Sequence, residues 1–251
     1  MRITWWGHAT TLIEDAGIRL LTDPVLTHRV GHLKRRAGPR PDESASRVDV
    51  AVVSHLHADH LHLPSLRQLR TDALIVVPRG AGRLLRGVGR ARVREVSVGE
   101  TVRIGELLVE VVRADHDGHR GPWSRAVAPA VGYVVRGSCT TYFAGDTDYF
   151  AGMSDLGPLD VALLPVGGWG PTLGPGHLDP GRAAHALRLL HAATAVPIHY
   201  GTLWPVGMDR VRPGLFADPG HQFATAAAEQ APDTTVRVLR PGESLKVESA
   251  A

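Results

Sequence analysis

Six consecutive residues, His55-Leu56-His57-Ala58-Asp59-His60, constrain this chain more than any other feature. They put three imidazoles and a carboxylate directly after the apolar run 48–53, Val-Asp-Val-Ala-Val-Val, which reads as a buried strand ending at Ser54. Such a strand fixes a position in space, and the loop that leaves it bends polar side chains inward. Side chains alternate along an extended backbone, so His55 and His57 point to the same side and can grip one ion. Asp59 and His60 lie past the bend and can reach a second. Neutral imidazole and carboxylate suit zinc, manganese or iron. The opposing reading, exposed polar residues, fits a lone histidine but not this spacing after a buried strand.

The rest of the chain supplies many strand ends. Its 28 glycines and 18 prolines fit short strands alternating with tight turns. Strands are expected over 3–6, 11–14, 18–22, 48–53, 74–77, 93–96, 100–104, 107–113, 132–136, 140–144, 161–165 and 196–199. Short helices are expected near 66–69 and over 80–86. Asp179-Pro180 reads as an N-cap followed by a first-turn proline, opening a helix that carries Ala183, Ala184, Leu187, Leu189 and Leu190. A further helix is expected over 221–230, and 236–239 with 244–247 as a closing hairpin around Pro241-Gly242. Strands come first and strand–helix alternation follows, twice over, which fits two sheets with helices outside. No linker-like or low-complexity break interrupts residues 1–251, so one domain is expected.

Three more strand ends carry metal-ligating residues: His116 after 107–113, Asp146 after 140–144, and His199 after the strand beginning at 196. With the first cluster they make five histidines and two aspartates, enough for two adjacent ions with one bridging carboxylate.

In this order the motifs resemble the metallo-β-lactamase superfamily. Within it they are similar to the branch of L-ascorbate-6-phosphate lactonase and N-acyl phosphatidylethanolamine phospholipase D. Trp5-Trp6-Gly7-His8-Ala9-Thr10 resembles that branch's W-x-G-H-A-T, and Leu21 to Val25 its L-T-D-P-V. Ser54 to His60 is the superfamily's S-H-x-H-x-D-H. Phe143 to Thr147 resembles F-A-G-D-T, His177 to Pro180 resembles H-x-D/N-P, and Pro197 to Thr202 resembles P-x-H-Y/W-G-T. The resemblance spans residues 5–202. It implies a four-layer αββα sandwich, two mixed β-sheets with helices outside and the active site along one edge. It also implies that His55, His57 and His116 hold one metal, that Asp59, His60 and His199 hold the other, and that Asp146 bridges. Two divalent ions are therefore expected, zinc first, with manganese or iron as alternatives.

Further residues belong to this expectation. Asp23 accepts a hydrogen bond from a ligating imidazole, or forms a turn before Pro24. His8 lines the pocket or satisfies a loop. His177, before a helix N-terminus, touches substrate or precedes the cap. His119 sits on a turn as a pocket candidate; Asp148 stands where the branch often has glycine and faces either the mouth or water. Asp115 and Asp117 point away from His116 if the strand continues. His62, His185, His191 and His221 read as structural or exposed. Of Trp5 and Trp6 only one is expected to face the core, while Trp123, Trp169 and Trp204 wall a pocket or merely pack.

The mechanism implied is hydrolysis by a metal-bridging hydroxide, with Asp59 orienting it and His177 or Tyr200 stabilising the leaving oxygen. The substrate expected is a small anionic ester, lactone or phosphodiester. A ribonuclease Z-like nuclease and a metal-dependent binding or regulatory protein are the alternatives. The net charge of +3 is mostly dispersed arginine, with one basic stretch at His28, Arg29, His32, Lys34, Arg35, Arg36 and Arg40. Gly31, Gly38, Pro39 and Pro41 punctuate it, and no aromatic residues interleave, which favours a solvated loop over a nucleic-acid patch. The single cysteine, Cys139, excludes an intrachain disulfide and is expected to pack in a strand. No apolar run approaches a bilayer-spanning length and the N-terminus reads directly into strand, so a cytoplasmic location is expected, with homo-oligomerisation implied only by resemblance.

Overall fold

In the computed structural model, which describes residues 1–89, 92–121 and 124–249, the β-rich sequence forms two seven-stranded sheets and a small third one. The strands of the first half are β1 (Arg2–Gly7), β2 (Thr10–Asp15), β3 (Ile18–Thr22), β4 (Arg29–Val30), β5 (Leu33–Arg35), β6 (Val50–Val52), β7 (Leu74–Pro78) and β8 (Val93–Val96). Those of the second are β9 (Thr101–Ile104), β10 (Leu107–Arg113), β11 (Val131–Arg136), β12 (Thr140–Phe143), β13 (Val161–Pro165), β14 (Thr194–Ile198), β15 (Leu203–Pro205), β16 (Thr235–Val236) and β17 (Glu243–Lys246). The helices are α1 (Leu63–Leu66), α2 (Pro180–Leu190), α3 (Met208–Val211), α4 (Pro213–Ala217) and α5 (Pro219–Gln230).

Sheet one runs β17-β1-β2-β3-β6-β7-β8, and sheet two runs β16-β14-β13-β12-β11-β10-β9. Each begins as an antiparallel meander and continues as parallel strands: β3, β6, β7 and β8 in one, β12, β13, β14 and β16 in the other. Parallel strands are covered on both faces, so they read as unbroken apolar runs. β6 shows this, since Val50 and Val52 join the core between the sheets while Ala51 and Val53 join a second core outside sheet one. The fold is thus the expected four-layer α/β sandwich. Its outer layers are unequal. Helices α2 and α5 cover sheet two, whereas short α1 and loop residues such as Leu56, Leu61 and Leu69 cover sheet one.

The α2 expectation matches the structure. Asp179 caps it, accepting from the Arg182 backbone N–H at 2.8 Å, Pro180 opens the first turn, and Ala183, Ala184, Leu187 and Leu190 form the buried stripe. Asp179→Ala is expected to lower stability by about 1 kcal/mol without touching activity, read as a shifted urea midpoint at unchanged slope.

Four local expectations are corrected. The last two strands do not form a hairpin: β16 pairs with β14 in sheet two and β17 with β1 in sheet one. The segment 80–86 holds only a three-residue 3₁₀ turn, Gly82–Leu84, because Glu95 takes the Gly80 and Gly82 N–H groups. Both Trp5 (1% exposed) and Trp6 (8%) are buried, on opposite faces of a sheet covered on both sides. Cys139 is buried in the turn before β12 rather than in a strand. Among the described residues no helix is long and apolar enough to cross a membrane.

Candidate metal centre

Strand direction gathers the candidate residues. β1, β3 and β6 run the same way, so His8, Asp23 and the 55–60 loop leave one edge of sheet one. β10, β12, β13 and β14 also share a direction, so His116, Asp146, the 166–178 loop and His199 leave one edge of sheet two. The two exits are tied together. The His8 carbonyl accepts from the His199 N–H at 2.9 Å and from Trp5 Nε1 at 2.8 Å, and the His8 N–H donates to Thr202 Oγ1 at 3.0 Å. A Cβ on Gly145, which has φ +62°, would lie 2.4 Å from Ser54 Cβ, so glycine there lets the β12 and β6 exits meet. His8, Asp23 and His199 are themselves left-handed, with φ of +53°, +31° and +63°. Such strain persists where surrounding contacts over-determine it.

Two groups of donors result. Ligand atoms of His55, His57, His116 and Asp146 lie within 4.8 Å of one another, as do those of His8, Asp59, His60 and His199. Asp146 spans both: its Oδ2 is 3.1 Å from His60 Nε2, 3.8 Å from His55 Nε2 and 4.0 Å from His116 Nε2, and its Oδ1 is 3.2 Å from His199 Nε2. Tautomers follow from the far side of each ring. Nδ1 of His60 donates to Asp23 Oδ2 at 2.6 Å, that of His199 to the Gly167 carbonyl at 2.9 Å, and that of His116 to the Gly176 carbonyl at 2.7 Å. His55 Nδ1 meets Ser54 Oγ at 2.9 Å, and that hydroxyl donates onward to Asp23. For His55, His116 and His199 the proton therefore sits on Nδ1, leaving an Nε2 lone pair pointing inward. His60 Nε2 and His199 Nε2 then face each other at 3.0 Å, and buried Asp146 Oδ1 has no hydrogen-bond partner. Converging lone pairs and an unpartnered carboxylate oxygen fit a cation.

Electrostatics agree. Burial drives His55 well below its ordinary pKa, with His60 adding to it, and pushes His199 down to about 3 against the pull of Asp146. Burial also lowers His57 and His116. Burial opposes charge on Asp59 and Asp146, but surrounding histidines carry both well below the usual carboxylate range. His60 is the exception: burial opposes its protonation, yet Asp146, Asp59 and Asp23 together hold its pKa well above normal. The pocket thus holds ionised carboxylates among mostly neutral imidazoles, and a divalent ion bound here would take the place of the proton on His60.

The remaining candidates separate. His8 Nε2 lies 2.8 Å from Asp59 Oδ2, and Asp23 holds both Ser54 and His60. His177 stands at the rim, its Nε2 3.7 Å from Asp146 Oδ2 and its ring 4.7 Å from that of His116. His119 is exposed and paired with Asp117 at 2.6 Å, away from the cavity. Asp148 pairs with Arg182, and Asp115 is exposed. Tyr200 stacks on Trp5 at 5.3 Å, outside the cavity lining. Trp169 lines the cavity, Trp204 is buried against Phe216, and Trp123 lies outside the described residues. His62 bonds Ser65 at 2.7 Å, and His191 closes α2. Two members of the basic stretch are spent within the fold: Arg35 is buried, donating to the Trp6 and Val25 carbonyls, and Arg36 pairs with Asp209, while His28, Arg29, His32 and Arg40 are exposed.

Sequence reasoning missed Arg120. Its Nη1 donates to the carbonyls of Leu56 (2.5 Å) and Leu61 (2.7 Å), pinning the 55–60 loop from outside. Its partners are backbone groups, which leave no residue-type signal. A cavity of about 560 Å³ opens over Asp59, Asp146, His57 and His199, within the usual range for small-molecule sites.

Comparison with known proteins bears on this centre. The family model described as the beta-lactamase superfamily domain matches residues 18–200. A UPF0173 metal-dependent hydrolase of Methanopyrus kandleri is 35% identical over 250 residues, covering 97% of this chain and 99% of that protein. The structure of a metallo hydrolase from Ignicoccus hospitalis superposes with a TM-score of 0.74 at 25% identity, covering 97% of both chains. An isothiocyanate hydrolase from Delia radicum gut bacteria shares the fold at 20% identity, with a TM-score of 0.74 over 99% of both chains.

Proposed function

Because the chain belongs to the beta-lactamase superfamily, we propose that it is a metal-dependent hydrolase cleaving an ester-like bond in a lactone, phosphodiester or carboxylic ester. His55, His57 and His116 would hold one divalent ion, and Asp59, His60 and His199 a second, with Asp146 between them. Zinc suits this donor set first, manganese or iron next. The observation that carries the reading is the convergence of the His55, His116 and His199 Nε2 lone pairs and the His60 Nε2 on Asp146, whose Oδ1 is buried without a hydrogen-bond partner.

Divalent ions bound here would acidify water and polarise the oxygen of the scissile group. The protein's own groups do the rest. His8 Nε2–H fixes Asp59 at 2.8 Å, so the carboxylate holds one orientation while it accepts a hydrogen bond, then a proton, from the attacking water. His177 stands at the rim with Nε2 toward the cavity, 3.7 Å from Asp146 Oδ2, placed to donate a hydrogen bond to the leaving oxygen. Ser54, Asp23 and the carbonyls of Gly167 and Gly176 hold the ligating rings in place.

The test is initial rates against a phosphodiester, a sugar-phosphate lactone, a simple ester and a β-lactam, using zinc- or manganese-reconstituted and chelator-stripped protein. One class is expected to turn over at least about a hundredfold faster with metal restored. Reconstituted protein that turns over none of the four, or stripped protein as fast as loaded, refutes the reading.

A further inference from the structure

The walls of the cavity carry information that the centre itself does not use. One wall is the β4–β5 hairpin, whose Val30 and Leu33 line the space with His32 between them. The other is the loop after β13, which contributes Trp169 and Leu173. The His32 and Trp169 rings meet edge to face at 5.1 Å and 79°, joining the two walls. Trp169 and Leu173 each remain 37% exposed, next to a cavity rather than scattered over the surface. Leu173 folds back along its own loop, its Cδ2 lying 2.9 Å from where a Cβ on Gly168 would stand.

Charge is placed to match. Among the described lining residues there is no lysine, and Arg120 is the one arginine. Its Nη1 is engaged by the Leu56 and Leu61 carbonyls. Of the neighbouring basic run only His32 lines the cavity; Arg35 turns to the Trp6 and Val25 carbonyls and Arg36 to Asp209. A second charge on the substrate would be desolvated against Val30, Leu33, Trp169 and Leu173, none of which can pair it. An aryl or branched alkyl group would gain from the same contact.

We infer that the substrate is uncharged outside its scissile bond and carries an apolar aryl or branched-alkyl arm, seated between Trp169–Leu173 and Val30–Leu33. This departs from the anionic substrate that the sequence motifs imply, and it rests on the hydrolase reading for the bond but not for the arm. The cavity of about 560 Å³ accommodates a small molecule of this kind.

The test compares p-nitrophenyl phenylacetate, acetate and hemisuccinate with zinc-loaded protein, each rate divided by its spontaneous rate. The phenylacetate is expected to exceed the acetate by about tenfold to a hundredfold in kcat/KM, with the hemisuccinate at or below the acetate. In Trp169→Ala and in Leu173→Ala, both in a half-exposed loop, the phenylacetate-to-acetate ratio is expected to fall by about tenfold. A ratio near one, or preference for the hemisuccinate, overturns the apolar arm and leaves the hydrolase standing. Turnover of no ester removes the carboxylic ester from the hydrolase reading, and ligand-observed NMR titration with phenylacetamide, acetamide and succinamate then decides the arm alone. Phenylacetamide binding at least about tenfold tighter than the other two, and weakened in Trp169→Ala, supports it; equal binding overturns it.

Discussion

Replacing Asp146 with asparagine is expected to lower hydrolysis by roughly 10²–10³-fold and to reduce the metal held per chain. Asp146 is the carboxylate that faces both donor groups, with Oδ2 toward His60, His55 and His116 and Oδ1 toward His199. Asparagine keeps the shape but removes the charge, and one of its two positions becomes an N–H donor aimed where a cation would sit. The fold should survive, because Asp146 follows β12 and its carboxylate faces histidine rings, at 3.1 Å from His60 and 3.2 Å from His199. Elemental analysis of the dialysed variant beside its initial rates checks both halves. Two equivalents of metal at near wild-type activity would remove Asp146 from the bridging position.

Asp23→Ala should act through stability as well as metal. Asp23 is fully buried and accepts from the Ser54 N–H at 2.7 Å, Ser54 Oγ at 2.6 Å and His60 Nδ1 at 2.6 Å. Truncation strands three buried donors and takes a carboxylate from a histidine whose charge it helps to hold. A loss of about 3–5 kcal/mol is expected, with metal affinity about tenfold to a hundredfold weaker. Asp23→Asn separates the two effects. Its amide oxygen still accepts from Ser54, but its amide nitrogen meets the His60 Nδ1–H and drives that proton to Nε2, toward the metal position. It should therefore lose metal affinity while keeping most of its stability. Urea unfolding with and without chelator, beside metal titrations, reads each part. An alanine variant within about 1 kcal/mol of wild type would show that Asp23 does not carry this load.

Much of this was legible because ligating residues sit at strand ends, and apolar runs mark where strands stop. Residues 48–53 locate β6, and hence the 55–60 loop, while Asp179-Pro180 states the start of α2 outright. What escaped depends on partners far along the chain. Nothing near Val236 or Ser244 says that the two segments join different sheets, because short strands carry little of their own register. Pairing of β5 with β15 joins residues 33–35 to 203–205, and it turns a basic loop into a wall with Val30 and Leu33 facing in. Trp6 is buried beside Trp5 because alternation separates core from solvent only when one sheet face is wet, and here both are covered. Arg120 speaks only to carbonyls, which every residue has.

The crossing of the final strands sets an order of events on the ribosome. Sheet two has its six strands from β9 to β14 once residue 198 has emerged, and neighbours in sequence build most of it. Sheet one keeps the outer edge of β1 bare until β17 arrives some 240 residues later, pairing Arg2 with Lys246. For most of synthesis that edge is an open template for a neighbouring nascent chain. Holding it apart from other chains until the last strand docks is the step of biogenesis at which a chaperone has the most to contribute.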